Sequence, residues 1–295
     1  MTNKFEPNGI KWILSEAFSI VISRFKYFAV IIGTVQIPAI ILTLYFSGLT
    51  AQENEYDLIL QIISYSIALF AMTLSSALVI AAVGQHYAYN KVTLSFCFNR
   101  TWWRILSITI WAILLTAPLF VITYFSENIV NNQENNNSII AVITISLILI
   151  PFLIYTTFFI QTVMIEGFNF ISGIKRSAYL IHGKVLKVLL VGILMGLVAV
   201  GLSIIVNLPF AILELSELNN KIVAGTNSSI LFYLIVFLKN FVDTIIILPI
   251  LITSGTLLYF DIRSEKENYT LNKLLEDIRI TSPHSQMDIV STLNN

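Results

Sequence analysis

Six apolar stretches, at 27–48, 58–83, 105–125, 138–162, 188–212 and 230–260, constrain this chain more than any other feature. Each is long enough to cross a hydrocarbon core about 30 Å thick, which takes about 20 residues rising 1.5 Å apiece. None carries turn chemistry at its centre, and none alternates with the period of two that a barrel strand needs. A helix satisfies its own backbone groups, as lipid demands. Only 12% of the 295 residues are charged, about half of what a soluble domain carries. The expected fold is all-α: a polytopic membrane protein with six transmembrane helices. Seventeen basic residues balance 17 acidic ones, which excludes a basic nucleic-acid protein. The single cysteine, Cys97, can form no internal disulfide and argues against a cysteine-based metal site.

Fifteen of the 17 Lys and Arg residues fall before the first stretch, between the second and third, between the fourth and fifth, or after the sixth. The positive-inside rule then places both termini in the cytoplasm of a plasma-membrane protein. The polar start, Met1 to Pro7, has no short apolar core with a cleavage site, so no removable signal peptide is expected. The inner segments read as amphipathic interfacial helices at about 9–25, 91–104 and 168–186, each carrying aromatics and cations. Each runs into a span with a proline in its outer half: Pro38, Pro118 and Pro209. This gives a possible three-fold repeat of interfacial helix plus two spans. Leu271, Leu274, Leu275 and Ile278 predict a further amphipathic helix over about 270–280. Residues 1–280 thus form one integral membrane domain, and 281–295 form a polar, disordered tail.

Val163-Met164-Ile165-Glu166-Gly167, then Gly173, Arg176-Ser177, Leu180 and Gly183, resemble the cytoplasmic segment of a six-span family. That family is named for the membrane region of some glycerophosphoryl diester phosphodiesterases. Pro249, Thr256-Leu257-Leu258-Tyr259-Phe260-Asp261-Ile262-Arg263 and Glu265 resemble its closing motif. The resemblance implies the architecture of about 9–280. It does not imply catalysis, which in the family's enzymes belongs to a separate barrel domain. With 35 residues after the last span, the chain is expected to hold only the membrane part.

Glu166, Arg176, His182, Asp261 and Arg263 share one membrane depth and form a candidate polar cluster on the cytoplasmic face. Its expected role is structural, docking an interfacial helix on the bundle; the alternative is a carboxylate that meets a substrate. Glu166→Ala is expected to destabilise the protein, since removing one partner strands the other. Asn207, Lys239, Asn240, Asp243 and Thr244 form a candidate intramembrane stripe, with Lys239 and Asp243 on one helix face. Charges at such depth should face the bundle or each other. Two readings stay open: an ion or proton path or polar cavity, or a helix that begins at Phe241, with Lys239 reaching water. Gly192 and Gly196 form a GxxxG expected to pack against another helix, with Gly201 further along. Pro151, Pro209 and Pro249 are expected to kink their spans.

His86, His182 and His284 lack metal-binding context, and no phosphate loop or nucleophile elbow occurs. No cofactor, metal or catalytic residue is expected, and the chain is read as a non-enzyme. The leading expectation is a scaffold or accessory subunit that binds anionic membrane lipid and a protein partner at the cytoplasmic face. The alternative is a small transporter or channel using the intramembrane stripe.

Overall fold

A computed structural model describes residues 9–50, 57–131, 136–224 and 230–280. These residues are helical almost throughout, with no strand among them. Four short helices, α1 (Ile10–Ser23), α4 (Leu94–Trp102), α8 (Phe170–Ile181) and α11 (Leu271–Ile280), alternate with long ones. The long helices are α2 (Phe25–Thr50), α3 (Asp57–Tyr89), α5 (Ile105–Asn131), α6 (Asn136–Tyr155), α9 (Val185–Ala224) and α10 (Ile230–Glu267). Five of them are long and apolar enough to cross a membrane, and α5 adds the apolar run Ile105–Pro118. The chain is an all-α, multi-pass membrane protein.

Burial ranks the long helices. In α3, 67% of the most apolar window is buried, against 17% in α9 and in the span that contains α6. Helix α3 is therefore the axis of the bundle, with α2, α5 and α10 packed around it. Leu147, Ile193, Leu197 and Ile205 on α6 and α9 are exposed, as a lipid-facing surface requires, since no hydrophobic force drives such side chains out of lipid.

The repeat has a period of 80 residues in its leading half. Arg24, Arg104 and Lys184 stand 80 apart and occupy the same corner between a short helix and the span that follows. At each corner the basic residue's carbonyl accepts from the residue four further on: Phe28 at 3.3 Å, Ile108 at 3.2 Å and Val188 at 3.1 Å. Positions one turn or more to either side are buried in all three copies: Ala17, Cys97 and Ser177; Val21, Thr101 and Ile181; Phe28, Ile108 and Val188. Side-chain identity varies while burial does not, so composition hides the period.

The returning spans also share an ending. Asn90, Gly167 and Asn268 follow them with φ of 54°, 83° and 50°, the left-handed conformation that stops a helix. The next short helix then opens with the same bond: Cys97 N–H to Thr93 O, Gly173 N–H to Asn169 O, and Leu274 N–H to Thr270 O. Helix α11 is thus a fourth short helix, closing the series against α3 and the turn before Gly167.

Two expectations about the spans need correction. The fourth span is not one helix over 138–162. It stops at Tyr155 and resumes as α7 (Phe159–Gln161) and a π-helical turn, Thr162–Glu166. Thr156 and Thr157 bond back to the carbonyls of Phe152 and Ile154 at 2.6 and 2.8 Å, which competes with the regular ladder. Ser177 Oγ bridges the break: it accepts from Phe158 N–H at 3.1 Å and donates to Tyr155 O at 2.9 Å. The sixth span does not begin at Phe241 either; α10 is continuous from Ile230. The GxxxG is likewise not a packing seam among the described residues, because a Cβ at Gly192, Gly196 or Gly201 would meet none of their atoms outside its own helical turn within 4 Å. The segment 281–295 lies outside the described residues.

Candidate functional site

Two polar centres lie at opposite ends of the antiparallel α9–α10 hairpin. The first joins α10 to the short helices. Arg263 donates from Nη1 to Asp277 Oδ2 at 3.1 Å and to Tyr259 Oη at 3.2 Å, and its Nη2 lies 3.4 Å from Glu166 Oε2. Glu166 also accepts from Tyr259 Oη at 2.6 Å and from Arg176 Nε at 2.9 Å. Arg176 reaches on to Glu267 at 2.5 Å, one helical turn beyond Arg263. Tyr269 completes the group, donating to Asp277 at 2.8 Å with the Arg263 guanidinium 3.5 Å above its ring. The Glu166 and Arg263 side chains are each only 7% exposed.

Environment sets the protonation of the groups outside the spans. Burial pulls Arg176 down, but hydrogen bonds to Glu267 and Glu166 more than offset it, so its guanidinium stays charged. Burial pushes the Tyr269 phenol up, and Asp277 pushes it further. Cys97, buried in the core, is pushed up to about 12 by burial, so it is an inert thiol.

Two members of the expected cytoplasmic cluster do not join this network. Asp261 lies beside it, ion-paired to Lys187 at 2.5 Å; Lys187 also pairs with Glu265, which binds Lys184 at 2.6 Å. His182 contributes only its carbonyl, which accepts from Lys266 Nζ at 2.6 Å. Its side chain is exposed because Gly183, with φ of 76°, turns the chain into α9 immediately after it.

Sequence reasoning missed Glu267, Asp277 and Tyr269. The Arg263–Glu267 spacing of one turn and the amphipathic α11 were the signals available. It also missed Arg100, which is 4% exposed and has no carboxylate partner among the described residues. Its guanidinium donates to the carbonyls of Met164 at 2.6 Å, Ile165 at 3.0 Å and Ile278 at 3.2 Å. These carbonyls include ends of the π-helical turn and of α11, where the helical ladder leaves acceptors unfilled. Burial, then the nearby Arg104, lowers Arg100 to about 10.

The second centre is near the far end of the hairpin. Asp243 Oδ1 accepts from Ser203 Oγ at 2.8 Å and from Asn207 Nδ2 at 2.7 Å. Lys239 does not face Asp243 or stand alone; it pairs with Glu214 on α9 at 2.9 Å. Counted from Tyr259 at 1.5 Å per residue, Lys239 stands about 30 Å away and Asp243 about 24 Å away. With Tyr259 taken as one boundary of a core about 30 Å thick, Lys239 falls at the other and Asp243 about one turn inside it. The expected stripe is two separate groups. Thr244 donates to the Asn240 carbonyl at 2.7 Å, and Asn240, Asp243 and Thr244 line a cavity of about 390 Å³ between α2, α3 and α10.

Among the described residues, no group of three or more His, Cys, Asp or Glu side chains is placed to hold a metal ion. No protein family, curated protein or solved structure matches the chain.

Proposed function

We propose that the chain is a non-catalytic scaffold or accessory subunit that holds anionic lipid, and through it a protein partner, at the cytoplasmic face of a plasma membrane. The observation that carries this reading is the uneven use of cations around the short helices. In the third repeat Arg176, Lys184 and Lys187 are tied to carboxylates, which leaves Lys175 alone without one among the described residues. In the first two, Lys11, Lys26, Lys91 and Arg104 have no carboxylate partner among the described residues, and Arg24 meets only the Asn90 carbonyl, at 3.1 Å.

Large side chains stand exposed beside these cations: Phe25 and Tyr27 next to Lys26, and Trp102 and Trp103, each about 70% exposed, next to Arg104. Aromatics at headgroup depth with adjacent cations are the chemistry of an anionic interface. Each such cation is worth about 1 kcal/mol near that surface. The placement of both termini in the cytoplasm follows from the same cations. The resemblance to the phosphodiesterase membrane region supports the architecture and supplies no catalytic site.

Native mass spectrometry after gentle extraction tests the reading. Wild type is expected to retain phosphatidylglycerol in preference to phosphatidylcholine, and to carry a partner. The triple variant Lys26→Gln, Lys91→Gln, Arg104→Gln is expected to lose the preference. Equal retention of both lipids by wild type, with no co-purifying protein, would overturn it.

A further inference from the structure

The Asp243 centre is rich in acceptors and has no donor left. Ser203 spends its one hydroxyl proton on Asp243. Asn207 spends both amide protons, one on Asp243 and one on Ser203 Oγ at 2.8 Å. What remains is the second oxygen of Asp243, which accepts nothing among the described residues, and Asn207 Oδ1, which is buried without a partner. Lys239, the nearest cation in sequence, is committed to Glu214. A carboxylate about 6 Å inside the hydrocarbon boundary, with no countercharge, is costly. The group that would complete it is a cation.

The cavity shows which kind. Asp243 is the one charged residue that lines it, so the site offers a single negative charge. Thr43, Ser64 and Tyr65 also line it, while Met72, Ile247 and Leu251 add apolar lining. Its volume of about 390 Å³ falls in the range of small-molecule sites, about 300–1,000 Å³, and is far larger than a bare metal ion fills. A lining that holds both an aromatic side chain and a carboxylate suits an ammonium, which gains from each.

We infer that this cavity binds a monovalent organic ammonium, with its cationic head on Asp243 and its apolar body against Ile247 and Leu251. The inference is independent of the lipid-scaffold reading, because Lys26, Lys91 and Arg104 stand beside the short helices and none of them lines the cavity.

Binding of benzyltrimethylammonium to the full chain in lipid nanodiscs, with empty discs subtracted, tests it against the neutral isostere neopentylbenzene. Wild type is expected to bind the ammonium saturably and the isostere not at all. Asp243→Asn keeps acceptors for Ser203 and Asn207, so its melting temperature without ligand should match wild type while affinity falls about tenfold or more. Ala68→Trp adds bulk to the lining from an exposed position on α3 while leaving Asp243 itself unchanged, and should abolish binding. If Asp243→Asn fails to fold, Ala68→Trp and the isostere decide. Equal binding of the isostere, undiminished binding by a folded Asp243→Asn or by Ala68→Trp, or no saturable binding at all would each overturn the inference.

Discussion

Replacing Arg263 removes the one side chain that touches Glu166, Glu267, Asp277 and both tyrosines of the network around Glu166. That network holds two arginines, Arg176 and Arg263, against three carboxylates. Arg263→Ala leaves one cation against three, in a place where Glu166 and the arginine are each 7% exposed. Stranding one partner of a pair so buried costs about 3–5 kcal/mol. The contacts to Glu267 and Asp277 are 21% and 26% exposed on the acid side, so screening limits each to about 0–1 kcal/mol. The buried pair therefore decides the total.

Arg263→Lys keeps the charge but not the planar fork or the stacking on Tyr269, and should lose about 1–2 kcal/mol. Asp277→Ala added to Arg263→Ala should recover part of the loss, because it returns the network to its original net charge. Reversible unfolding in mixed micelles, followed by circular dichroism, measures these variants, and Asp277→Ala alone closes the double-mutant cycle. An Arg263→Ala protein within about 1 kcal/mol of wild type, or one no worse than Arg263→Lys, would refute the reasoning.

Ser177→Ala removes the hydroxyl that serves both Phe158 N–H and Tyr155 O, and should cost about 1–3 kcal/mol in the same assay. Gly173→Ala sets a Cβ 3.1 Å from Val163 Cγ2 and 3.2 Å from Phe159, an overpacking worth about 1–3 kcal/mol, whereas Gly192→Ala should leave stability unchanged. Tyr269 has a folded pKa above its ordinary 10.0, so the stability it contributes is complete below pH 10 and declines as pH rises beyond it. Tyr269→Phe should flatten that alkaline decline in a pH series of melting temperatures, while losing about 1 kcal/mol at neutral pH. Cys97 should resist maleimide in the folded protein and react only after denaturation, as its burial requires.

The membrane class was legible because length and apolarity act directly on each span. The short helices were legible too, since their stripes are local in sequence. The break at Tyr155 was not: it depends on Ser177, 22 residues away, and a serine in isolation announces nothing. Nor was the 80-residue period, because Ala17, Cys97 and Ser177 share a buried position rather than a chemistry. At the candidate sites, Glu166 and Arg176 lie ten residues apart and were paired in advance by their resemblance to a motif. Asp277 and Glu214 were not, since an acid on a short helix or near a span's end looks solvated until its partner is placed. Lys239 and Asp243 illustrate the limit of spacing: one turn apart on α10, they turn to different residues of α9.

Arg100 spans 178 residues to reach Ile278. Its other two bonds, to Met164 and Ile165, can form once the second hairpin has been synthesised, but the third waits until α11 has followed. Until then one N–H group of a buried guanidinium lacks its acceptor, and α11 is the latch that supplies it. Without α11 that donor would lose its acceptor, and the contact that joins the second short helix to the fourth would be gone.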